Sequence, residues 1–536
     1  MAEPQAHEQP RAFRVSAYAW YALFVLVLVY IINFIDRQIL SILVGDIKRD
    51  LGVSDAQIGF LYGTAFAVFY ALFGIPLGRL ADSWYRGRLM AMGLTLWSSM
   101  TVLSGFASSF GMLAAARIGV GIGEASASPA AYSMISDHFP KERRATALSI
   151  YSSGLYIGGA LSLPIGGIVL SRWNTAFPDP ATAPLGLVGW QAAFLAAGFP
   201  GLVLALWVLS LREPPRGASD GLSQPVVRPN AWRDFGQELI AILPPLTLFN
   251  VARIPGALRT NVAVLLLVVA CGYGLYRLTG DGPQWSAYGL GVYAVFSWVQ
   301  SLKHRDPPAY RLIWGNPTVV MLAFAFGSIA FVTYATSFWV PPYVEQTFYG
   351  GPLTASRFIP GMTAKEEIGT IIGWSAAISA AAGVILGGYV SDLWRQRDAR
   401  GRLFVNMLSA VLPIPIVSFM LTTDNLAAFY WANPLAHMLA SAWVGAAVAT
   451  LQDLVLPRMR ATAGATYILG TTMVGLALGP YYAGKMSVLT GDLGTGIFAL
   501  YVMPPLTLLG LWLGSRRIEE LEASKVERAR AAGEPI

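Results

Sequence analysis

The stretch Gly78-Arg-Leu-Ala-Asp82-Ser-Trp-Tyr-Arg86-Gly-Arg88 closes one long apolar run and leads into the next. Far along the chain, Gly388-Tyr-Val-Ser-Asp392-Leu-Trp-Arg395-Gln-Arg397 does the same. Each gives a glycine, an aspartate four residues on, a tryptophan two later, and then a basic loop. A second pair follows in the same order. Asp137-His-Phe-Pro140-Lys-Glu-Arg143-Arg-Ala-Thr-Ala147 is answered by Asp453-Leu-Val-Leu-Pro457-Arg-Met-Arg460-Ala-Thr-Ala463. Copies spaced by about 310–317 residues predict two six-helix units, related by an axis along the membrane normal.

The runs between these segments are membrane runs. The chain has 536 residues, of which 55% are hydrophobic and only 12% charged, whereas a soluble chain is about a quarter charged. Apolar stretches of about 18 residues or more recur from end to end, each long enough to cross a hydrocarbon core. The expected spans are 18–43, 56–80, 88–108, 111–138, 145–171, 190–211, 257–278, 283–302, 317–341, 368–394, 402–422, 426–455, 462–486 and 493–514. The fold class is therefore all-α and polytopic, with about fourteen transmembrane helices.

Charge sets the direction. With the N terminus cytoplasmic, 28 of the 37 Lys and Arg fall in cytoplasmic segments and 7 in external ones, as the positive-inside rule requires. Both termini are expected in the cytoplasm, in the inner membrane if the source is bacterial. The division that follows is 1–17, a cytoplasmic segment; 18–211, the first six-helix bundle; 212–256, a cytoplasmic linker; 257–302, an extra helix pair; 303–515, the second bundle; and 516–536, a cytoplasmic helix. Pro, Gly and Ser mark Arg212–Asn230 as linker. In the segment after it, Trp232, Phe235, Leu239, Ile242 and Leu243 share one helical face. That face lies either in the headgroup plane or against the bundle.

Several function classes drop out. The one cysteine, Cys271, excludes a disulfide framework within the chain, and four scattered histidines point to no metal cluster. No cofactor, metal or nucleic-acid partner is expected. Gly217-Ala-Ser219-Asp-Gly221 satisfies G-x-S-x-G but lies in a polar linker rather than a strand–turn–helix, and there is neither a P-loop nor H-E-x-x-H. An enzyme and an ATP-driven pump are both set aside.

The chemistry is expected from charges placed in hydrocarbon. Asp36, Arg37, Arg117 and Glu124 lie inside spans. Each would cost about 2.5–3.5 kcal/mol facing lipid, on the order of 10 kcal/mol together. That rivals a total stability of about 5–15 kcal/mol, so they must face a hydrated cavity or one another. Arg117 and Glu124, two turns apart, share a helix face. Gly119, Gly121 and Gly123 crowd the same span, where small residues let helices approach closely.

Gly-x-x-x-Asp with a basic loop, present twice, resembles the signature loop of the major facilitator superfamily. Asn33-Phe-Ile-Asp36-Arg37 and Arg117-Ile-Gly-Val-Gly121-Ile-Gly123-Glu124-Ala125 resemble its Spinster branch. Ser83, where a basic residue is usual, and the middle helix pair depart from the common plan. The resemblance implies two six-helix bundles with a central cavity lined by the first and fourth helix of each. It also implies alternating access, and a substrate like a lysolipid or sphingoid phosphate. In the fifth span, Gly158-Gly159 and Pro164-Ile-Gly166-Gly167 loosely resemble the antiporter motif.

On this reading Glu124 and Asp36 look into one site and exchange protons, because burial and a nearby guanidinium push a carboxylate's proton affinity in opposite directions. Arg37, Arg117 and Asn33 hold an anionic head or serve as counter-ion. Gly78, Asp82, Arg86, Arg88, Gly388, Asp392 and Arg395 bias gating, through contacts expected only while the cytoplasmic side is closed. Tyr156, Tyr334, His437 and Tyr467 are cavity-lining residues. The expected partners are an amphipathic or anionic small molecule, protons and the bilayer, with the chain acting as a monomer. Two alternatives stand beside this: transport of another organic anion or drug-like compound, and a receptor or sensor built on a transporter body.

Overall fold

The computed structural model describes residues 15–216, 227, 229–351 and 354–534. The G-x-S-x-G match and most of the N-terminal segment lie outside them. Fourteen long helical segments run across the described structure. The first unit holds α1 (Ala17–Leu51), α2 (Asp55–Ala81), α3 (Arg86–Ser104), α4 (Phe110–Glu124 continued by Ala127–His138), α5 (Lys141–Ala176) and α6 (Gly189–Leu209). A hairpin of α7 (Ala257–Thr279) and α8 (Gly282–Arg305) follows. The second unit holds α9 (Pro317–Tyr349), α10 (Ala364–Arg395), α11 (Gly401–Thr422), α12 (Leu426–Asp453), α13 (Thr462–Thr490) and α14 (Leu493–Ser515). Among the described residues 11 helices are long and apolar enough to cross a membrane on composition alone. The chain is a multi-pass membrane protein.

The helices outrun the expected spans where polar caps carry them beyond the apolar run. Ser16 and the Ser54/Gln57 capping box start α1 and α2, and Gly52, at φ 64, ends α1 at Leu51 rather than near residue 43. A second capping box, Thr363/Glu366, starts α10 at Ala364, four residues earlier than the apolar pattern predicts. In α4 the expected single span breaks after Glu124. Ser126 turns its hydroxyl onto the Gly123 carbonyl at 2.9 Å, and Pro129 follows in the next turn.

The glycines of α4 are spacing residues. A Cβ on Gly121 would lie 2.5 Å from the Phe66 carbonyl oxygen, and one on Gly123 would lie 2.8 Å from that of Gly93. The helix is thus pressed against α2 and α3.

The two units meet tightly at the end opposite the chain termini. There α2 packs on α13, where a Cβ on Gly59 would lie 2.4 Å from the Pro480 oxygen. On the other side α5 packs on α10, where one on Gly369 would lie 2.6 Å from the Leu163 oxygen.

The α7–α8 hairpin covers the α2/α13 seam. Asn261 donates to Ser297 at 3.0 Å and Gln300 at 2.9 Å, and accepts from Tyr293 at 2.6 Å, tying α7 to α8. α8 then reaches both units: Thr64 of α2 donates to Gln284 at 2.8 Å, while Tyr481 and Lys485 of α13 each hold Asp281 at 2.8 Å. α7 itself stands outside, its apolar face exposed. The linker helix, Ala231–Ile242, packs on the terminal end of α2 and α8. Ile242 is buried there, and Trp232 meets Trp84 edge-on at 5.0 Å.

Candidate functional site

The in-span charges assemble inside the first unit. Arg37 pairs with Glu124 at 2.5 Å, and its guanidinium lies over the rings of Phe66 at 4.4 Å and Phe34 at 4.8 Å. Arg117 donates to the backbone oxygen of Asp36 at 3.1 Å. Asp36, Arg117 and Glu124 are all buried, and Asn33 lies beside Glu124. Neither Asp36 carboxylate oxygen makes a hydrogen bond of ordinary geometry, although Trp97 and Thr101 are polar neighbours; one oxygen of Glu124 is likewise unpartnered.

A central cavity of about 270 Å³ lies between the units. Tyr156, Tyr334, His437 and Tyr467 stand on its wall together with Phe34, Gln38, Ser41, Ser337 and Trp443. Asp36, Arg117 and Glu124 do not, which corrects the expectation that the two acids look into it. The helical period explains why. Phe34, Gln38 and Ser41 follow one stripe of α1, and that stripe faces the cavity. Asp36 points to the far side of the same helix, into the unit. Arg37 is not on the wall either, but its side chain is 12% exposed and its guanidinium lies over Phe34, which is.

A second charge cluster, which sequence reasoning missed, lies where the units close. Lys365 of α10 is fully buried. It donates to the Ile42 oxygen at 2.8 Å, pairs with Asp46 of α1, and reaches Glu345 of α9 at 3.1 Å. Nearby, Arg172 holds Glu366 at 3.0 Å, Ser171 meets Thr363 at 2.8 Å, and Ser487 donates to Asp55 at 2.8 Å. Ser41 donates to the Phe338 oxygen at 2.6 Å and forms the floor of the cavity on this side. The signal for this lock was present: Lys365, Glu366 and Glu367 open an otherwise apolar span.

At the terminal end the repeated motif works within each unit. Arg86 is fully buried. It pairs with Asp137 and with Glu213 at 2.6 Å, and donates to Ser133 and the Pro214 oxygen, each at 2.8 Å. Arg88 lies over Tyr85 at 4.6 Å. Gly78 faces Pro129, and Asp82 ends α2 with its N–H on the Gly78 oxygen. In the second copy Asp392 pairs with Arg402 at 3.0 Å, while Arg395 pairs with Asp453 at 3.4 Å and with Glu522 of the C-terminal helix. Gly388 has open space where a Cβ would sit. The expectation that such contacts require a closed terminal end is corrected for Asp392 and Arg395, whose pairs join residues of a single unit.

The Major Facilitator Superfamily model matches residues 26–480. An MFS-type efflux pump of Mycolicibacterium smegmatis is 27% identical over 508 residues, 93% of each chain. Protein spinster homolog 1 of Xenopus laevis is 25% identical over 86% of this chain and 72% of its own. Among solved structures, a bacterial homolog of the human lysosomal transporter Spinster, inward-facing and unoccupied, superimposes with a TM-score of 0.65 at 24% identity. That match covers 96% of this chain and 98% of the other.

Proposed function

The chain belongs to the Major Facilitator Superfamily and within it resembles the Spinster branch, and from that premise we propose that it is a proton-coupled secondary transporter of an amphipathic anion. The observation that carries this reading is the pair of part-buried Arg37 with fully buried Glu124, with Asp36 and Arg117 behind it, one helix face away from the cavity. Intramembrane carboxylates of this kind are expensive and serve as proton relays. Arg37 is the link. An anionic head at the cavity wall competes with Glu124 for its guanidinium, and the released carboxylate takes a proton. Losing the anion reverses both steps.

The cavity wall supports an amphiphile of the lysolipid or sphingoid-phosphate kind. Apart from Arg37 nearby, it offers hydroxyls, rings and aliphatic surface. The termini are assigned to the cytoplasm on the distribution of Lys and Arg. The locked end is then external, and the conformation is inward-facing. Opening requires Lys365 to leave Asp46.

The test is flux in proteoliposomes containing a pH dye, with oleoyl-lysophosphatidylglycerol, sphingosine 1-phosphate and an organic diacid as probes. An amphiphile-dependent pH change that a proton ionophore abolishes is the expected result. Binding without flux identifies a sensor, and flux without proton movement removes the coupling.

A further inference from the structure

The second unit contains a small, mainly apolar chamber edged by a few polar side chains, which transport through the central cavity does not by itself explain. It measures about 30 Å³, room for about two water molecules, and lies among α9, α11, α12 and α14. Three side chains on its wall hold polar atoms without partners: the Thr336 hydroxyl, the Asn433 amide oxygen and the Tyr501 hydroxyl. Asn433 is 1% exposed. Buried polar groups within a membrane span are rarely left without a partner. Thr333, Ser337 and His437 line both this chamber and the central cavity, so the two adjoin.

The internal repeat supplies an independent observation. The step that carries Asp137 to Asp453 carries Arg117 to Asn433. The step that carries Phe34 to Tyr334, both on the cavity wall, carries Asp36 to Thr336. The chamber therefore occupies, in the second unit, the place the charge cluster holds in the first. Its polar residues can also form hydrogen bonds, but each both donates and accepts and none carries a charge.

We infer that this chamber is a binding site for a neutral hydrogen-bonding group: water in the empty protein, and a hydroxyl of the substrate, entering past His437, when the cavity is occupied. The second part rests on the amphiphile reading given above. Asn433 and Thr336 accept or donate as required, and Tyr501 closes the far wall. Without an ionised side chain, the site holds a neutral group and gives no purchase to a phosphate, which is left to Arg37 across the cavity. The two units thus divide an amphiphile's polar part between them.

Hydroxyl-radical footprinting of the full-length protein in nanodiscs tests the site with water as the probe. Tyr501 and His437 are expected to label at least tenfold faster than Trp339, which is fully buried with its ring N–H on the Pro480 oxygen. Asn433→Leu should slow labelling of Tyr501 at least fivefold. Labelling of Tyr501 no faster than Trp339, or unaffected by the substitution, overturns the proposal.

The substrate half is read by binding of oleoyl-lysophosphatidic acid against its 2-deoxy analogue. The hydroxyl form should bind about fivefold tighter, and Tyr501→Phe, which removes one oxygen and keeps the ring, should erase the difference. Equal binding of the two forms leaves water as the occupant and overturns the substrate half. If neither lipid binds, it is the amphiphile reading that has failed, and the labelling result stands independently.

Discussion

The two six-helix units share a backbone plan but treat charge in opposite ways. The first gathers Asp36, Arg37, Arg117 and Glu124 at the junction of its first and fourth helices, all but Arg37 fully buried. The second sets Thr336, Ser337 and Asn433 at the corresponding places. The second unit keeps its charges at its rims, in Lys365 at one end and in Arg395, Arg402 and Arg458 at the other. The same architecture therefore supports either an ionic or a neutral polar core. The difference lies in whether a partner is packed within reach, because a buried ion without one is costly. Coupling is asymmetric on this view: one unit handles the proton, while the other shapes the path.

The largest effect is expected where the asymmetry is removed. Glu124→Gln makes the first unit's core nearly as neutral as the second's. Coupled transport should fall by at least about 100-fold, within the range a positioned proton-transfer group supplies. Substrate binding and expression should stay near normal. Proton flux in proteoliposomes measures the first and thermal shift with ligand the second; undiminished flux would remove Glu124 from the mechanism.

The next variants sharpen the same contrast through stability. Arg37→Ala strands Glu124 and should cost about 3–5 kcal/mol, the penalty for breaking a buried pair from one side. The double variant Arg37→Ala/Glu124→Ala should recover most of that loss. At the corresponding place in the second unit, Ser337→Ala should cost under about 1 kcal/mol. Denaturant titration in detergent compares the three. Equal costs in the two units would mean that the charge pair is held in water rather than sheltered.

Much of this arrangement was legible before any coordinates. Hydrophobic length gave the spans, and two motifs repeated in order gave the duplication. The cost of ions in hydrocarbon singled out the four charges. What could not be read was rotation. Residues 33–38 fix a helix, but which of Phe34 or Asp36 faces the cavity depends on how α1 rolls against α5, where Gly158 admits Ile31 and Phe34 closely. The charges at the start of α10 were in plain view, but the partners of Lys365 were hidden for a different reason. Its partners Asp46 and Glu345 come from two other helices, and their meeting depends on the conformation of the whole molecule. The place of the hairpin was equally out of reach, since Gln284 and Asp281 find Thr64 and Lys485 only once both units are assembled.

Lys365 also distinguishes charge that couples from charge that locks. Lys365→Met leaves Asp46 and Glu345 close together with only Arg49, at the edge of the site, as a cation, but only while the locked end is closed; opening rehydrates them. The equilibrium should move toward the form open at that end by about 2 kcal/mol, roughly 30-fold in population. Spin labels at Gly52 and Gly350, on the loops at the locked end, would report it as a longer distance. An unchanged distance distribution would assign Lys365 to fold stability alone.

The smallest effect belongs to the exposed rim of the second unit, where charge is plentiful and weak. Asp306 accepts from Arg458 at 2.8 and 3.2 Å and from the Ala309 N–H at 3.1 Å, and these bonds hold its carboxyl below the ordinary range. A depressed carboxyl contributes stability above its unfolded value of about 3.9, and that contribution fades as pH falls through the folded value. The window therefore lies below about pH 4, and the pair is constant at neutral pH. Because Arg458 is 46% exposed and Asp306 31%, solvent screening limits the contribution to below about 0.5 kcal/mol. Asp306→Asn should lower Tm by no more than about 1–2 °C at pH 7, with the difference shrinking further in high salt. A loss approaching that of Arg37→Ala would show that rim charge and core charge are equivalent in this protein, and the contrast between its two units would no longer hold.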